Sequence, residues 1–153
     1  MAETIATPML DALFASIETG DLEAVQRILA ESGGVNAKDR HGNTPLIRAA
    51  ALGNDRMVTL LIKAGAHVNA RNGEGQTALI AAADYSRHPG NLQMEGYETI
   101  IERLLEAGAD PAIRDHAGRN AYDLARPSIK MKIESYLKSR METQPAMTMP
   151  ETP

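Results

Sequence analysis

The amino-acid sequence predicts an all-α fold, a solenoid of helix-turn-helix units joined by β-hairpin-like loops. Three observations predict it. The chain repeats itself at a fixed offset, its units carry helix start and stop signals at matching positions, and aromatic residues make up only 3% of its 153 residues. A core with so few rings has to be built from Ala, Leu, Ile and Val, which lets stacked helices approach closely.

The repeat is visible as matching residues at a constant separation. At an offset of 33 positions the matches include Gly42 with Gly75, Thr44 with Thr77, Leu46 with Leu79, Gly53 with Gly20, Val68 with Val35 and Asn69 with Asn36. Several independent matches at one offset are the mark of a repeat architecture, in which each unit buries its apolar face only against its neighbours. The sequence therefore predicts stacked units.

The next step along the chain is 43 positions, because Gly65, Ala66 and Gly75 recur as Gly108, Ala109 and Gly118. We assign the ten extra residues to an insertion at 86–95, which leaves Gly96 to match Gly53. The expected domain is 1–140, with repeats at about 6–37, 38–70, 71–113 and 114–140. The remainder, 141–153, has three prolines and no apolar period, so we expect a disordered tail.

The second unit shows the local signals most clearly. Thr44 is a suitable N-cap, and Pro45 suits the first helical position, where no N–H is needed. Gly53 is expected to end this helix, and Asn54 or Asp55 to begin a second one. Gly65 is expected to end that second helix. The Asn-Gly and Glu-Gly pairs at 72–75 then predict a tight hairpin between units.

These residues resemble a known family. Residues 42–70 resemble the ankyrin repeat along their whole length, 104–110 repeat part of that pattern, and 118–125 look like its closing unit. The resemblance covers about residues 9–138. It implies protein recognition along the surface made by hairpin tips and first helices, and it implies no particular partner. The chain departs from the family in having Ile47 and Ile80 where His is common, and Arg48 where an apolar residue is frequent.

Composition restricts the classes of function. The net charge is −4, from 16 basic and 20 acidic residues, which argues against nucleic acid as the main partner. The absence of Cys excludes disulfides and thiolate catalysis. The N-terminus lacks the features of a secretory signal, and no apolar run is long enough to span a membrane. We expect a cytoplasmic protein that is a monomer.

No catalytic, cofactor or metal motif stands out. The four histidines, His41, His67, His88 and His116, are too scattered in the repeat pattern to predict convergence on an ion. None of the serines lies in a nucleophile elbow, and the glycines at 73 and 75 lack the remainder of a phosphate-binding loop. We therefore expect no enzyme, no cofactor and no metal.

The first candidate site is the surface of hairpin tips together with the first helices. Its basic residues outnumber its acidic ones, which favours a partner with an acidic surface, although scattered solubilising charge is an equally simple interpretation. We expect Arg48 to reach from its helix towards this surface. The predicted partner-binding residues here are Lys38, Arg40, His41, Asn43, Arg48, Arg71, Glu74, Gln76, Arg114, His116 and Arg119.

The second candidate site is the insertion, because insertions in repeat proteins map to loops that often lie on the binding face. Leu92, Met94, Tyr85 and Tyr97 supply anchors of the kind that dominate interfaces. The alternative is that the insertion simply lengthens both helices of its repeat by a turn; we favour contact. The predicted partner-binding residues here are Asp84, Tyr85, Arg87, His88, Leu92 and Met94.

The leading functional hypothesis is a protein-interaction module, acting as an adaptor or as an inhibitor, of which a bacterial immunity protein is one version. The alternative is a small-ligand-binding protein that uses the 86–95 insertion as a lid, which would need a pocket with converging polar groups. An enzyme is a third class, and only a buried cluster of perturbed titratable groups would favour it.

Overall fold

A computed structural model describes residues 6–84 and 94–143, and within these ranges the chain forms α-helices and no strand. The predicted all-α class is confirmed. The eight helices of the described residues are α1 (Thr7–Thr19), α2 (Leu22–Ser32), α3 (Pro45–Leu52), α4 (Asp55–Lys63), α5 (Ala78–Ala83), α6 (Met94–Glu106), α7 (Ala121–Leu124) and α8 (Pro127–Thr143).

The helices form two layers. The first helices of the repeats, α1, α3, α5 and α7, pack side by side, and the second helices, α2, α4, α6 and α8, pack side by side behind them. Each first helix also packs against the second helix of its own repeat. Each repeat thus contacts its neighbours, which is the architecture of a solenoid.

The expected helix signals are confirmed in the second repeat. The Thr44 hydroxyl accepts a hydrogen bond from the N–H of Ile47 at 3.2 Å, which satisfies one of the four unpaired donors of the first turn. Gly53 follows α3 in the left-handed conformation, with φ +74°. The side chain of Asn54, rather than that of Asp55, caps α4 by accepting from the N–H of Met57.

The first helices meet through small side chains. Ala49 and Ala50 of α3 and Ala78 and Ala82 of α5 are all 0% exposed. Methyl groups at these positions let the two backbones approach closely, which explains how a core with almost no aromatic residues can be well packed. Ile47 and Ile80 are also buried, so the positions where the family commonly has His contribute apolar packing here.

The inserted segment lengthens one helix of the third repeat and not the other. α6 begins at Met94, inside the expected insertion, whereas α5 ends at Ala83 and is shorter than α3. Gly96 lies within α6, whereas its match Gly53 is a helix C-cap, so the two glycines have different roles. The offset of 43 still relates the ends of the second helices, Lys63 and Glu106. A Cβ on Gly96 would lie 3.1 Å from the carbonyl oxygen of Gly53. A glycine at this position therefore permits α6 to lie close to the end of α3.

Tyr97 belongs to the core and is not an anchor of the insertion. Its side chain is 2% exposed, and its hydroxyl donates to the carbonyl of Ala51 at 2.9 Å. Its ring covers Gly53, where a Cβ would come within 2.9 Å of the ring. The prediction that Tyr97 contacts a partner is therefore wrong, because the residue fastens α6 to α3.

The last repeat closes the stack. α7 has only four residues and begins with a capping box in which Asn120 and Asp123 satisfy each other's backbone N–H. Lys132 of α8 forms ion pairs with Glu98 and Glu102 of α6. α8 continues to Thr143, three residues beyond the boundary expected from the sequence, and residues 144–153 of the expected tail lie outside the described residues.

Candidate functional site: the tips and the first helices

Three hairpin tips have the same internal hydrogen bonding. We call residues 38–43 tip two, 71–76 tip three and 114–119 tip four, after their repeats. In each tip the second residue (Asp39, Asn72 or Asp115) donates its N–H to the carbonyl of the sixth residue, at 2.8–3.0 Å. Its side-chain Oδ1 accepts the N–H groups of the fourth and sixth residues. This is the Asx type of turn, in which a short polar side chain replaces a backbone partner.

The tips are joined to one another through the backbone. The N–H of Gly73 donates to the carbonyl of His41 at 3.0 Å, and the N–H of His116 donates to the carbonyl of Glu74 at 2.9 Å. A Cβ on Gly42, which has φ +77°, would lie 2.8 Å from the N atom of Gly73. The tips therefore form a continuous ledge along one edge of the stack.

Several basic residues predicted to bind a partner have contacts within the chain. The ammonium of Lys38 donates to the carbonyl of Arg71 at 3.0 Å, and the guanidinium of Arg71 donates to the carbonyl of Arg114 at 2.6 Å. Arg114 in turn donates to Gly118 O and forms an ion pair with Asp123. The side chains of Lys38 and Arg71 thus join successive tips, and Arg114 joins tip four to α7. A partner that binds these three side chains would have to compete with contacts inside the chain.

Their charges nevertheless remain on the tip surface. A hydrogen bond to a carbonyl does not neutralise a cation, and Lys38, Arg71 and Arg114 are all exposed. Arg40 is also exposed, and it forms no hydrogen bond or ion pair with the described residues. Arg40 is therefore the tip cation that a partner can engage without disturbing the stack.

Asn43 and Gln76 are part of an amide chain between tips two and three. Asn43 Nδ2 donates to Asp39 Oδ2 at 3.4 Å, and Asn72 Nδ2 donates to Asn43 Oδ1 at 2.9 Å and to Gln76 Oε1 at 3.3 Å. Both residues were predicted to contact a partner. Asn43 is instead engaged through both ends of its amide, whereas Gln76 is engaged through its oxygen alone.

A cavity of about 210 Å³ lies in the corner between these tips and the first helices. We call it the corner cavity. Ile47 and Ala51 of α3 and Ala81 of α5 form its apolar walls. Six of the predicted partner-binding residues line it together: His41, Asn43, Arg48, Glu74, Gln76 and Asp84.

Two charged side chains of the corner cavity come from the helices. Arg48 forms an ion pair with Glu18 of α1 at 2.5 Å, so it lies over the first helices as the sequence predicted. Asp84 follows the last residue of α5 and is only 5% exposed. Ile47, Ala51 and Ala81 line the cavity but were not predicted from the sequence, although Ile47 and Ala51 share a helix face with Arg48.

Tip four is closed by its own residues. The guanidinium of Arg119 forms an ion pair with Asp115 at 3.0 Å. Burial alone would raise the pKa of Asp115, but the hydrogen bonds and the positive charge of Arg119, together with the N–H of Ala117, lower this pKa below its ordinary value of 3.8. Arg119 is therefore engaged within its own tip. His116 is exposed and lies against Gly75, where a Cβ would come within 2.6 Å of its ring.

The predicted contact residues of the insertion cannot be placed. Tyr85, Arg87, His88 and Leu92 lie outside the described residues, and Met94 is located only as the first residue of α6. In the described ranges, no group of three His, Asp or Glu side chains is arranged to hold a metal ion. None of the helices described is both long and apolar enough to cross a membrane.

Comparison with known proteins agrees with the repeat pattern. A family model described as ankyrin repeats, in three copies, matches residues 12–115. A putative ankyrin repeat-containing protein of Treponema pallidum is 30% identical over 121 residues, 78% of this chain and 36% of that protein. The inactive serine/threonine-protein kinase TEX14 of Bos taurus is 35% identical over 104 residues, 68% of this chain and 6% of that protein.

A solved structure shows the same fold. The ankyrin repeat domain of Bcl-3, described as a unique member of the IκB protein family, superimposes with a TM-score of 0.68 at 27% identity. The match covers 80% of this chain and 50% of that one. The chain thus spans only a minor part of the two relatives above and half of the solved domain.

Proposed function

Because the chain belongs to the ankyrin-repeat family, we propose that it binds a partner protein through the surface formed by tips two to four and the first helices. Ankyrin repeats generally mediate protein–protein interactions. The observation that carries the proposal is the corner cavity, where the tips and first helices bring six of the predicted contact residues together. Its lining is mostly polar or charged, with an apolar wall made by Ile47, Ala51 and Ala81, so it offers a partner hydrogen-bonding groups that converge on one place.

The charge of the tips supports a partner with an acidic surface. Five basic residues, Lys38, Arg40, Arg71, Arg114 and Arg119, lie on this ledge with three acidic ones, Asp39, Glu74 and Asp115. Asp115 pairs with Arg119, and Asp123 of α7 pairs with Arg114. Lys38, Arg40 and Arg71 then face Asp39 and Glu74, a small excess of positive charge on a protein whose net charge is −4. Such segregation accelerates the association of oppositely charged surfaces.

The biological role that we propose is that of an adaptor or an inhibitor, including an immunity-type protein, acting as a cytoplasmic monomer. Both roles require a surface that binds and no bond-making chemistry. If this chain covers the active surface of its partner, the role is that of an inhibitor. If the partner also contacts a second protein at a separate site, the role is that of an adaptor.

The test uses charge reversal at Arg40 with a matched control at Arg56. Arg56 is an exposed residue of α4, in the opposite layer, so Arg40→Glu and Arg56→Glu change the net charge equally. Affinity capture from a lysate of the source cells is expected to retrieve one protein with the native chain and with Arg56→Glu. Arg40→Glu should bind it about tenfold more weakly, with a shallower dependence on salt concentration.

Two other outcomes of the capture experiment would contradict binding through the tips. Equal capture by all three forms would contradict a role for the tips and would make the insertion at 86–95 the candidate site. Capture of no protein by any form would favour the alternative of a small ligand, for which metabolite screening by thermal shift is the next measurement.

A further inference from the structure

The pair Asn72–Gly73 of tip three is chemically different from the equivalent pairs of the other tips. It is the only Asn-Gly pair in the sequence, and Asp39 and Asp115 stand in the place of Asn72 in tips two and four. The backbone nitrogen that follows an Asn can attack its side-chain carbonyl carbon, and a Gly in that place leaves the attack unhindered because it has no Cβ. Tip three therefore carries a side-chain amide beside a nucleophile.

Two backbone donors point at the side-chain oxygen of Asn72. The N–H groups of Glu74 and Gln76 donate to Asn72 Oδ1 at 3.0 Å and 2.9 Å. Attack on Cγ turns this oxygen into an oxyanion, and a pair of fixed N–H groups stabilises such a charge as it develops. The turn of tip three thus already holds the donors that the intermediate of the reaction needs.

The nucleophile, by contrast, is held by tip two. The N–H of Gly73 donates to the carbonyl of His41 at 3.0 Å, and Asn72 Nδ2 donates to Asn43 Oδ1 at 2.9 Å. Attack on Cγ requires the Gly73 nitrogen to give up its proton, which the hydrogen bond to His41 holds in place. The contact between tips two and three therefore restrains the reaction, and a local separation of the two tips releases it.

We propose that Asn72 deamidates when tip three separates from tip two. The Gly73 nitrogen forms a bond to Cγ of Asn72, the bond from Cγ to Nδ2 breaks, and Nδ2 leaves as ammonia with the proton that Gly73 gives up. Water then opens the imide ring, at Cγ to give Asp or at the main-chain carbonyl carbon to give isoaspartate. Gly73 is exposed and Asn72 is half-buried, so water reaches the ring without unfolding of the stack.

The Asp product keeps the turn and loses the link to tip two. A carboxylate oxygen accepts the N–H groups of the turn, as Asp39 and Asp115 do in their own tips. An ionised carboxylate has no N–H, so it cannot donate to Asn43 as the amide of Asn72 does. Deamidation therefore weakens the contact that restrained it.

The new charge also cancels the positive excess of the ledge. Lys38, Arg40 and Arg71 there face Asp39 and Glu74, so an Asp at position 72 leaves three charges of each sign. If the chain binds an acidic partner, as proposed above, deamidation weakens that binding, and the released ammonia makes the change permanent. This consequence rests on the proposed function, whereas the reaction itself goes beyond it.

The first experiment compares two glycine variants of the full chain with the native form. A Cβ on Gly42 would lie 2.8 Å from the N atom of Gly73, whereas a Cβ on Gly118, which has nearly the same φ, would meet no atom within 4 Å. Each form is incubated in mildly alkaline buffer and digested with trypsin, which releases a peptide that begins at Asn72. Mass spectrometry of this peptide should show deamidation at least about tenfold faster in Gly42→Ala, and a rate within about twofold of the native one in Gly118→Ala.

A synthetic peptide of residues 68–79 supplies the rate of the unrestrained pair. We expect the native chain to react more slowly than this peptide and more rapidly at Asn72 than at any other Asn. Equal rates in the three forms of the chain would overturn the proposal. Equal acceleration by both glycine variants would also overturn it, because the reaction would then proceed through unfolding of the whole stack.

A second pair of variants perturbs the same contact more gently, in case Gly42→Ala does not fold. Lys38→Met removes the hydrogen bond from tip two to the carbonyl of Arg71 at 3.0 Å, and Arg40→Met removes the same charge without removing such a contact. Circular dichroism confirms that both are folded. We expect deamidation about threefold faster in Lys38→Met and unchanged in Arg40→Met. Identical rates in these two variants would contradict control by the tip contact.

The consequence for binding is tested with a variant that has the sequence of the Asp product. Asn72→Asp should bind the protein captured by the native chain about threefold more weakly, while Gln26→Glu, with the same charge change at an exposed position of α2, should bind it as the native chain does. Equal affinities would refute the loss of binding. Capture of no protein would count against the proposed function alone, because the deamidation rates need no partner.

Discussion

Tips three and four have the same backbone turn but differ in how their sixth residue is satisfied. In tip four, Arg119 turns back to Asp115 of its own tip, so the charged pair is closed. In tip three, Gln76 receives one hydrogen bond from Asn72 and has an unpaired Nε2. Asp115 has no donor to offer a neighbouring tip, whereas Asn72 donates back to Asn43 of tip two.

The comparison shows that the residues that make the turn differ from the residue that is free to vary between tips. The turn itself is made by the second residue and the glycine, which are Asn72 and Gly75 in tip three and Asp115 and Gly118 in tip four. The sixth residue is then available to close the tip or to face a cavity. With Arg119 as its sixth residue, tip four is closed by an ion pair, whereas Gln76 of tip three lines the corner cavity.

The largest loss of stability is expected at Gly42, where tip two lies closest to tip three. Gly42→Ala places a Cβ in the left-handed region and 2.8 Å from the N atom of Gly73, so we expect a loss of about 3 kcal/mol in the free energy of unfolding. Gly118→Ala imposes the same conformation, with φ +79° and no atom within 4 Å. It should cost only about 1–2 kcal/mol. Urea denaturation of both variants measures the difference, and equal losses would mean that contact between tips contributes nothing.

A smaller loss is expected from the contacts of the basic residues. Arg71→Met removes the hydrogen bonds to Gly75 O at 3.0 Å and Arg114 O at 2.6 Å, and it should lower the free energy of unfolding by about 1.5 kcal/mol. Arg40→Met is the matched control and should change it by less than about 0.5 kcal/mol. If both variants were equally stable, Arg71 would be as available to a partner as Arg40.

Converting tip four into tip three should cost less again. Arg119→Gln leaves the buried carboxylate of Asp115 without its guanidinium, and we expect a loss of about 1 kcal/mol. The pKa of Asp115 should rise as well, because hydrogen bonds and charge from Arg119 help to lower it. NMR titration of this carboxyl in both forms makes the measurement. An unchanged pKa would show that Arg119 does not close the tip.

The smallest effect is on the pH dependence of stability. The pKa of Asp115 is lowered in the folded protein, so this group stabilises the fold above its unfolded value of about 3.9 and loses that contribution as the pH falls through the folded pKa. Asp115→Asn should keep the turn, since Asn72 makes the same bonds. Between pH 5 and pH 2, its Tm should fall about 1–3 °C less than that of the native chain. Identical Tm profiles would contradict this role.

Much of the fold was predictable because helix signals are local. Thr44, Asn54 and Gly53 act where the sequence placed them, since capping depends on a few neighbouring residues. The role of Gly96 was not predictable, because a constant offset assumes that the insertion lies wholly outside the helices. α6 incorporates the last residues of the insertion at its N-terminus and still ends at Glu106, the position equivalent to Lys63 of α4.

The candidate site was predictable as a surface but not as a set of contacts. The offsets that revealed the repeats show that Lys38, Arg71 and Arg114 are equivalent positions. They do not show that equivalent positions are adjacent in space. The side chain of Lys38 reaches the carbonyl of Arg71 in the next repeat, and the side chain of Arg71 reaches the carbonyl of Arg114. Likewise, Gln76 was identified as polar and accessible, whereas only the three-dimensional arrangement shows that its oxygen is used and its nitrogen is not.

The central claim is that a partner protein binds to the tips and first helices. Hydrogen exchange of the chain, alone and in complex with the protein captured by its native form, tests this claim most directly. We expect slowed exchange at residues 40–43 and 72–76 and at α3, with α2 and α4 unchanged. Protection confined to α2 and α4, with the tips exchanging as in the free chain, would contradict the account.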